Sequence, residues 1–219
     1  MGGRRPADAD QWTRNGRNRG RKRADGTERM ALNDEVGRRL KRLRQDGGLS
    51  LSELSRRSGV GKGTLSELEA GRRNPTLETL YALTTALGRP LSAVLDDPAT
   101  GGTASGTGGI SGSAVTAVLL ERYEDEAAAT DVFRVTIAEG ATQRSAAHVP
   151  YTTESLMVLS GTAVVGLPDA PQTAAPGGHA HWPADAPHFY SAPTGEVHGI
   201  LFVRYPKGAP PKDASAQRS

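Results

Sequence analysis

Between residues 33 and 97 the apolar positions recur at helical spacing. Val36, Leu40 and Leu43 fall on one face, with Arg38, Arg39, Lys41 and Arg42 on the other. Asp46-Gly47-Gly48 ends this helix, because glycine tolerates the left-handed conformation that closes a helix. Ser50 opens a second helix, and Glu53 three residues on completes a capping box. There the hydroxyl accepts from the backbone at the third position, while the carboxylate reaches back to the cap. Gly59 closes this helix, and a third runs from Lys62 to Ala70 and stops at Gly71. Asn74-Pro75-Thr76 opens a fourth, whose stripe is Leu77, Leu80, Leu83 and Leu87, and Pro90 to Leu95 forms a short fifth. From residue 114 to 206 the pattern changes to short β-branched and aromatic runs bounded by Gly, Pro or Asp. Ala114–Leu120, Val132–Ile137, Ser155–Leu159 and Gly199–Val203 are the clearest. Eight of the ten aromatic residues lie in this part, and such strands at near-regular spacing predict an antiparallel barrel or sandwich.

These two patterns divide the chain into a helical domain over 33–97 and a β domain over 114–206. Residues 98–113, rich in Gly, Ser and Thr, read as a flexible linker, with an expected span of roughly 20–25 Å that leaves the domains free to reorient. Residues 1–32 read as a disordered basic arm and 207–219 as a disordered tail, since neither holds enough apolar surface to offset the entropy of ordering. The arm is either a binder of nucleic-acid phosphates or a passive extension, with Met30 an alternative translation start to Met1. Charge sharpens this division: net +5 over 1–29, +2 over 30–97 and −4 over 98–219, for +3 in all. A polyanion partner is therefore expected at the basic end. Cysteine is absent, which excludes disulfide scaffolds, thiolate zinc sites and thiol catalysis and suits a cytoplasmic protein. No stretch offers the roughly 18 apolar residues that span a bilayer, so no membrane partner is expected.

The second and third helices meet at Gly59-Val60, and a tight turn there sets them at a steep angle. Leu54, Val60, Leu65 and Leu68 would bury the crossing, leaving the outer face of the third helix free to enter a major groove. The segment Leu49–Pro75 closely resembles the helix-turn-helix of the XRE family, the lambda- and 434-repressor-like group. The resemblance rests on Leu51-x-x-Leu54, Ser58-Gly59-Val60, Thr64-Leu65-Ser66-x-Leu68-Glu69-x-Gly71 and Asn74-Pro75-Thr76-Leu77-x-Thr79-Leu80, and runs from about Leu40 to Leu95. It implies a five-helix all-α reader whose base-edge contacts come from Lys62, Gly63, Thr64, Ser66 and Glu67. Arg72, Arg73 and Asn74 suit phosphates, which set register without reading sequence, and Arg38, Arg42 and Arg56 are weaker phosphate candidates. Gly61 and Gly63 leave few atoms for reading bases, so discrimination is expected to rest on Lys62 and Ser66, helped by DNA shape. Glu69 reads as a structural partner of Arg39 or Arg57.

All five histidines, His148, His179, His181, His188 and His198, lie in the β domain. The stretches Gly140-x5-Ala146-x-His148-x5-Glu154-x6-Gly161 and Gly177-x5-Pro183-x-Asp185-x2-His188 resemble the two cupin motifs. That resemblance implies a double-stranded β-barrel for dimerisation and effector sensing, with His148, Glu154 and His188 as divalent-metal ligands. Ala146 stands where the family's first histidine would be, and the His148-to-Glu154 spacing is longer than usual. The alternative is that these three are polar cavity residues bonded to each other or to a small molecule, and the departures favour it. Candidate effector contacts are Arg134, Gln143, Arg144, His148, Tyr151, Glu154, His188 and Tyr190. His179 and His181 share a face if their segment is a strand. His198 is open to either side of its strand.

The sequence thus points to a multidomain, bacterial-type regulator of transcription and not to an enzyme. It is expected to bind double-stranded operator DNA of pseudo-palindromic form as a homodimer, with a small molecule or a divalent cation in its barrel. Two alternatives remain: a constitutive repressor whose barrel only dimerises, and a metal-dependent cupin enzyme tethered to DNA.

Overall fold

The structure, a computed structural model, describes residues 33–95 and 109–207. The basic arm with Met30, most of the Gly-rich stretch and nearly all of the tail lie outside the described residues. The helical domain comprises α1 (33–46), α2 (Leu51–Ser58), α3 (Lys62–Glu69), α4 (Leu77–Ala86) and α5 (Ser92–Leu95). Their ends follow local chemistry. The Ser50 hydroxyl accepts from the Glu53 N–H at 3.1 Å, and Gly59 closes α2 in the left-handed region at φ 71°. Thr76 caps α4 in the same way, accepting from the Thr79 N–H. The expected capping box forms only by half. Glu53 turns its carboxylate to Arg56 and Arg57 at 2.7 and 2.8 Å, because two guanidiniums one turn away outcompete a single backbone N–H.

Val36, Leu40, Leu54, Leu65, Leu68, Leu77, Leu80 and Leu83 form the helical core. Gly37 lets α1 cross the end of α3, since a Cβ there would lie 2.3 Å from the Leu68 carbonyl oxygen. Glu69 takes neither partner expected from sequence. Arg39 is committed to Glu35 and Arg57 to Glu53. Arg44 instead grips both Glu69 carboxylate oxygens at 2.6 and 2.8 Å and donates to the Leu49 carbonyl at 2.8 Å. That bidentate pair ties α1, α3 and the α1–α2 turn together away from water, with side-chain exposures of only 11% and 6%.

Among the described residues the β domain is built from ten strands in two antiparallel sheets. The larger sheet runs β1 (Ile110–Ser111), β2 (Val115–Glu124), β3 (Ala128–Ile137), β10 (Val197–Pro206), β5 (Thr153–Ser160), β8 (His179–Pro183). The smaller runs β4 (Thr142–Ser145), β9 (His188–Ser191), β6 (Ala163–Leu167), β7 (Ala170–Ala174). From β3 to β10 the chain passes back and forth between the sheets, the arrangement of a cupin barrel. Their inner faces share a core with Phe133, Val135, Ile137, Leu156, Val158, Trp182, Leu201 and Val203. The β domain begins earlier than the sequence suggested: Ile110 and Ser111 pair with Ala117 and Thr116 inside the stretch read as linker. It also ends later, at Lys207, whose N–H bonds the Ala127 carbonyl at 2.8 Å.

The helical domain sits against the barrel. Leu91 N–H reaches the Tyr205 hydroxyl at 3.5 Å, Ser92 N–H donates to Asp131 Oδ2 at 3.1 Å, and Ser113 N–H donates to Glu78 Oε1 at 2.7 Å. Asp131 is fully buried, and burial pulls its carboxyl above the usual range against the pull of Ser92 and Arg122. The free reorientation expected from a flexible linker is therefore not the arrangement observed.

Removing one partner of a buried ion pair strands the other charge, which typically costs about 3–5 kcal/mol. Arg44→Ala is accordingly expected to lower the unfolding midpoint of the helical domain sharply, measured by circular dichroism. Arg56→Ala, which breaks a solvent-facing pair, should leave the midpoint unchanged.

Candidate functional site

Two sites face different ways. The first is the outer surface of α3. The α2–α3 turn is held by Ser55 Oγ donating to the Val60 carbonyl at 2.7 Å and by Val60 N–H donating to Ser58 Oγ at 3.2 Å. Leu65 and Leu68 turn inward from α3. Lys62, Gly63, Ser66 and Glu67 are left exposed and Thr64 half-buried, as one continuous face. Arg72, Arg73 and Asn74 follow it, also exposed. Arg73 contacts Glu67 at 3.3 Å, and Asn74 accepts a hydrogen bond from Asn33 at the start of α1.

The second site lies inside the barrel. Glu154 (β5) and Trp182 (β8) are cross-strand partners in the larger sheet. Gln143 pairs with Tyr190, and Ser145 with His188, in the smaller one. The loops entering β5 and β9 are bonded together: His148 N–H to the Ala184 carbonyl and Ala184 N–H to the Thr152 carbonyl, each at 2.8 Å. Tyr151, in the left-handed region at φ 63°, donates its N–H to Asp185 Oδ2 at 2.7 Å. Asp185 thus clasps the loop that carries His148 to the loop that leads into β9 and His188.

Glu154 is fully buried. His148 Nε2 lies 2.9 Å from Oε1, Tyr190 donates its hydroxyl to Oε2, and His188 Nε2 stands 3.4 Å from Oε2. Burial pulls the Glu154 carboxyl upward, but the neighbouring imidazoles and the Tyr190 hydroxyl outweigh it, and the net shift is downward. The Tyr190 hydroxyl is raised well above the usual phenol range by burial and then by the Glu154 charge. His188 Nδ1 lies 2.9 Å from the Ala186 carbonyl, which can only accept, so Nδ1 carries the proton of that bond. With the proton on Nδ1, the Nε2 lone pair faces a carboxylate oxygen, a pairing of two acceptors that a cation between them would relieve. His188 Nε2, His148 Nδ1, Trp182 Nε1 and Gln143 Nε2 have no hydrogen-bond partner among the described residues.

Of the effector contacts expected from sequence, Gln143, His148, Glu154, His188 and Tyr190 come together here. Arg134, Arg144 and Tyr151 do not. Arg134 stands exposed between buried Phe133 and Val135, and Arg144 between buried Gln143 and Ser145, so strand alternation turns both outward. Tyr151 is 40% exposed at the loop surface. His179 and His181 share the exposed face of β8, and His198 is exposed beside Glu196 at 3.0 Å. Sequence reasoning missed Trp182 and Tyr81. Tyr81, on α4, stacks on His148 with ring centroids 4.2 Å apart and an interplanar angle of 21°. An aromatic residue off the leucine stripe of its helix was the available signal.

The helix-turn-helix family model HTH_3 matches residues 40–94. An uncharacterized HTH-type transcriptional regulator, y4dJ of Sinorhizobium fredii, is 49% identical over 59 residues, 27% of this chain and 77% of that one. The HTH-type transcriptional regulator SutR of Escherichia coli is 28% identical over 171 residues, 77% of this chain and 93% of that one. A crystal structure of an HTH_3 family transcriptional regulator from Vibrio cholerae aligns with a TM-score of 0.70 at 25% identity, covering 81% of this chain and 99% of that one. With an exposed reading helix on a five-helix domain and a cupin-type barrel behind it, the molecule is a DNA-binding regulator of transcription. The chain belongs to the XRE-type helix-turn-helix family.

A hydrogen bond to a charged buried acceptor contributes about 1.5–3 kcal/mol. Tyr190→Phe should destabilise the barrel by roughly that amount in urea unfolding, with little change in the slope of the transition.

Proposed function

We propose that the protein is a cytoplasmic, dimeric repressor-type regulator that reads a pseudo-palindromic operator and senses a small ligand in its barrel. The exposed face of α3 carries this reading. Lys62 suits guanine O6/N7, Thr64 and Ser66 can donate or accept, and Glu67, held by Arg73, suits cytosine N4. Arg72, Arg73 and Asn74 then meet phosphates. Two such helices would occupy half-sites about 34 Å apart. A second copy is the partner this demands. A barrel-to-barrel contact is supported by the outer face of the larger sheet, where Met157 and Leu159 are 47% and 56% exposed and Ile200 lies across from Met157.

The buried triad supports a divalent-cation reading beside the small-molecule one. His148, Glu154 and His188 offer ligand atoms all within 4.8 Å of one another. The Ala186 carbonyl also fixes His188 in the tautomer that presents Nε2 inward. These residues would hold the ion, which would supply positive charge and open positions for an oxygen-bearing ligand. Regulation, not catalysis, is the proposed use, as in the regulators it is similar to.

Selection of bound DNA from a random pool tests the first reading. Enriched sequences should show two related half-sites one helical turn apart, and a single unpaired site would overturn the dimer. Lys62→Ala should relax preference at one base position by about 1–3 kcal/mol of discrimination. For the triad, metal analysis of purified protein should find a divalent ion near one per chain that His188→Ala loses. Equal metal content in both proteins would refute the assignment.

A further inference from the structure

The ring that stacks on His148 does not belong to the barrel. Tyr81 comes from α4 of the DNA-reading domain, and the interplanar angle of 21° lays its face along the imidazole. Burial raises the Tyr81 hydroxyl well above the usual phenol range, with Tyr205 and Glu154 adding to the shift. Glu78, one turn earlier on the same face, accepts from Ser113 N–H at 2.7 Å. Gly112 beside it lies close against both domains: a Cβ there would fall 2.3 Å from Gln143 Oε1 and 2.7 Å from Glu78 Oε1, so one of those side chains would have to shift. Leu91 and Ser92, just beyond α4, bond to inward-facing Tyr205 and Asp131. The helical domain therefore covers one end of the barrel along a closely fitted contact.

The adjoining face of α4 carries Leu77, Leu80 and Leu83, buried in the core shared with Leu54 of α2. A close-packed helix moves with its neighbours and does not deform alone. In the arrangement observed, His148 Nε2 is committed to Glu154. Any ligand that draws this imidazole or the carboxylate into a new set of bonds changes the surface on which Tyr81 lies.

We propose that Tyr81 makes the DNA-reading domain one wall of the barrel site, so that occupation of the His148–Glu154–His188 triad and DNA binding by α3 are thermodynamically linked through the Tyr81–His148 stack. This rests on the reading of the triad as a ligand site. By linkage, an occupant with different affinity for the stacked and unstacked states changes DNA affinity by the same factor that DNA changes its own.

The test uses the full chain, operator DNA obtained by selection, and cobalt(II) as the probe, whose visible absorption reports binding independently of DNA. In the unaltered protein, cobalt saturation should change the DNA dissociation constant by roughly ten-fold, within the range usual for coupled sites. Tyr81→Phe, which keeps the ring, should retain that factor. Tyr81→Ala, or Tyr81→Leu if alanine impairs folding, should bring it close to one while cobalt still binds. A factor of one in the unaltered protein, or an undiminished factor without the ring, overturns the linkage. Failure of the unaltered protein to bind cobalt would refute the cation reading of the triad. A double-mutant cycle of Tyr81→Ala and His148→Ala on the DNA affinity of the metal-free protein then decides the linkage. Non-additivity of roughly five-fold or more supports coupling through the stack, and additive effects overturn it.

Discussion

Helix α4 is covered on both faces, and the rest of the molecule is arranged around that fact. Leu77, Leu80 and Leu83 complete the core that fixes α2 and α3 at their crossing. Glu78 and Tyr81, one helical turn apart on another face, meet the barrel. A helix with one buried stripe would leave the reading unit a free body on a tether. A second face, matched to Ser113, His148 and the inward-facing residues near Tyr205, makes the barrel part of that unit's surroundings. The matching is close enough that a Cβ on Gly112 would displace Gln143 or Glu78.

The barrel supplies the complementary constraint. A carboxylate as buried as Glu154 is costly unless charge and hydrogen bonds answer it. Here His148 and Tyr190 hydrogen-bond to it, from the loop before β5 and from the opposite sheet. That loop is bonded to the one entering β9 through His148, Ala184 and Thr152, so backbone hydrogen bonds help to place both histidines. Donors without a partner among the described residues, at Trp182 and Gln143, lie on residues adjacent to the same cluster. The interior is thus polar in its centre and incompletely satisfied, and its covered end bears the DNA-reading domain.

Much of the helical half was readable from sequence because its determinants are local. Ser50, Gly59, Gly71 and Thr76 act on backbone groups within a few residues of themselves, and the leucine spacing states which face is buried. Arg134 and Arg144 were also readable in principle, since each lies between residues whose alternation turns it outward. Arg44 was not. Its partner, Glu69, is 25 positions away, and Arg39 and Arg57 matched in chemistry, so only the crossing of α1 over α3 chose among three arginines.

By itself the sequence determined the capped helices, the turn between α2 and α3, the outward polar face of α3 and the presence of strands with histidines among them. These follow from short-range hydrogen bonding and from the periods of helix and strand. Tertiary structure alone decided that Asp185 clasps two loops, that His188 faces a carboxylate, that Ile110 and Ser111 join a sheet, and that Tyr81 lies on His148. Each of these joins residues distant in the chain, and their proximity depends on sheet register and on how two domains meet. Those are properties of the whole packed chain, and no short segment encodes them.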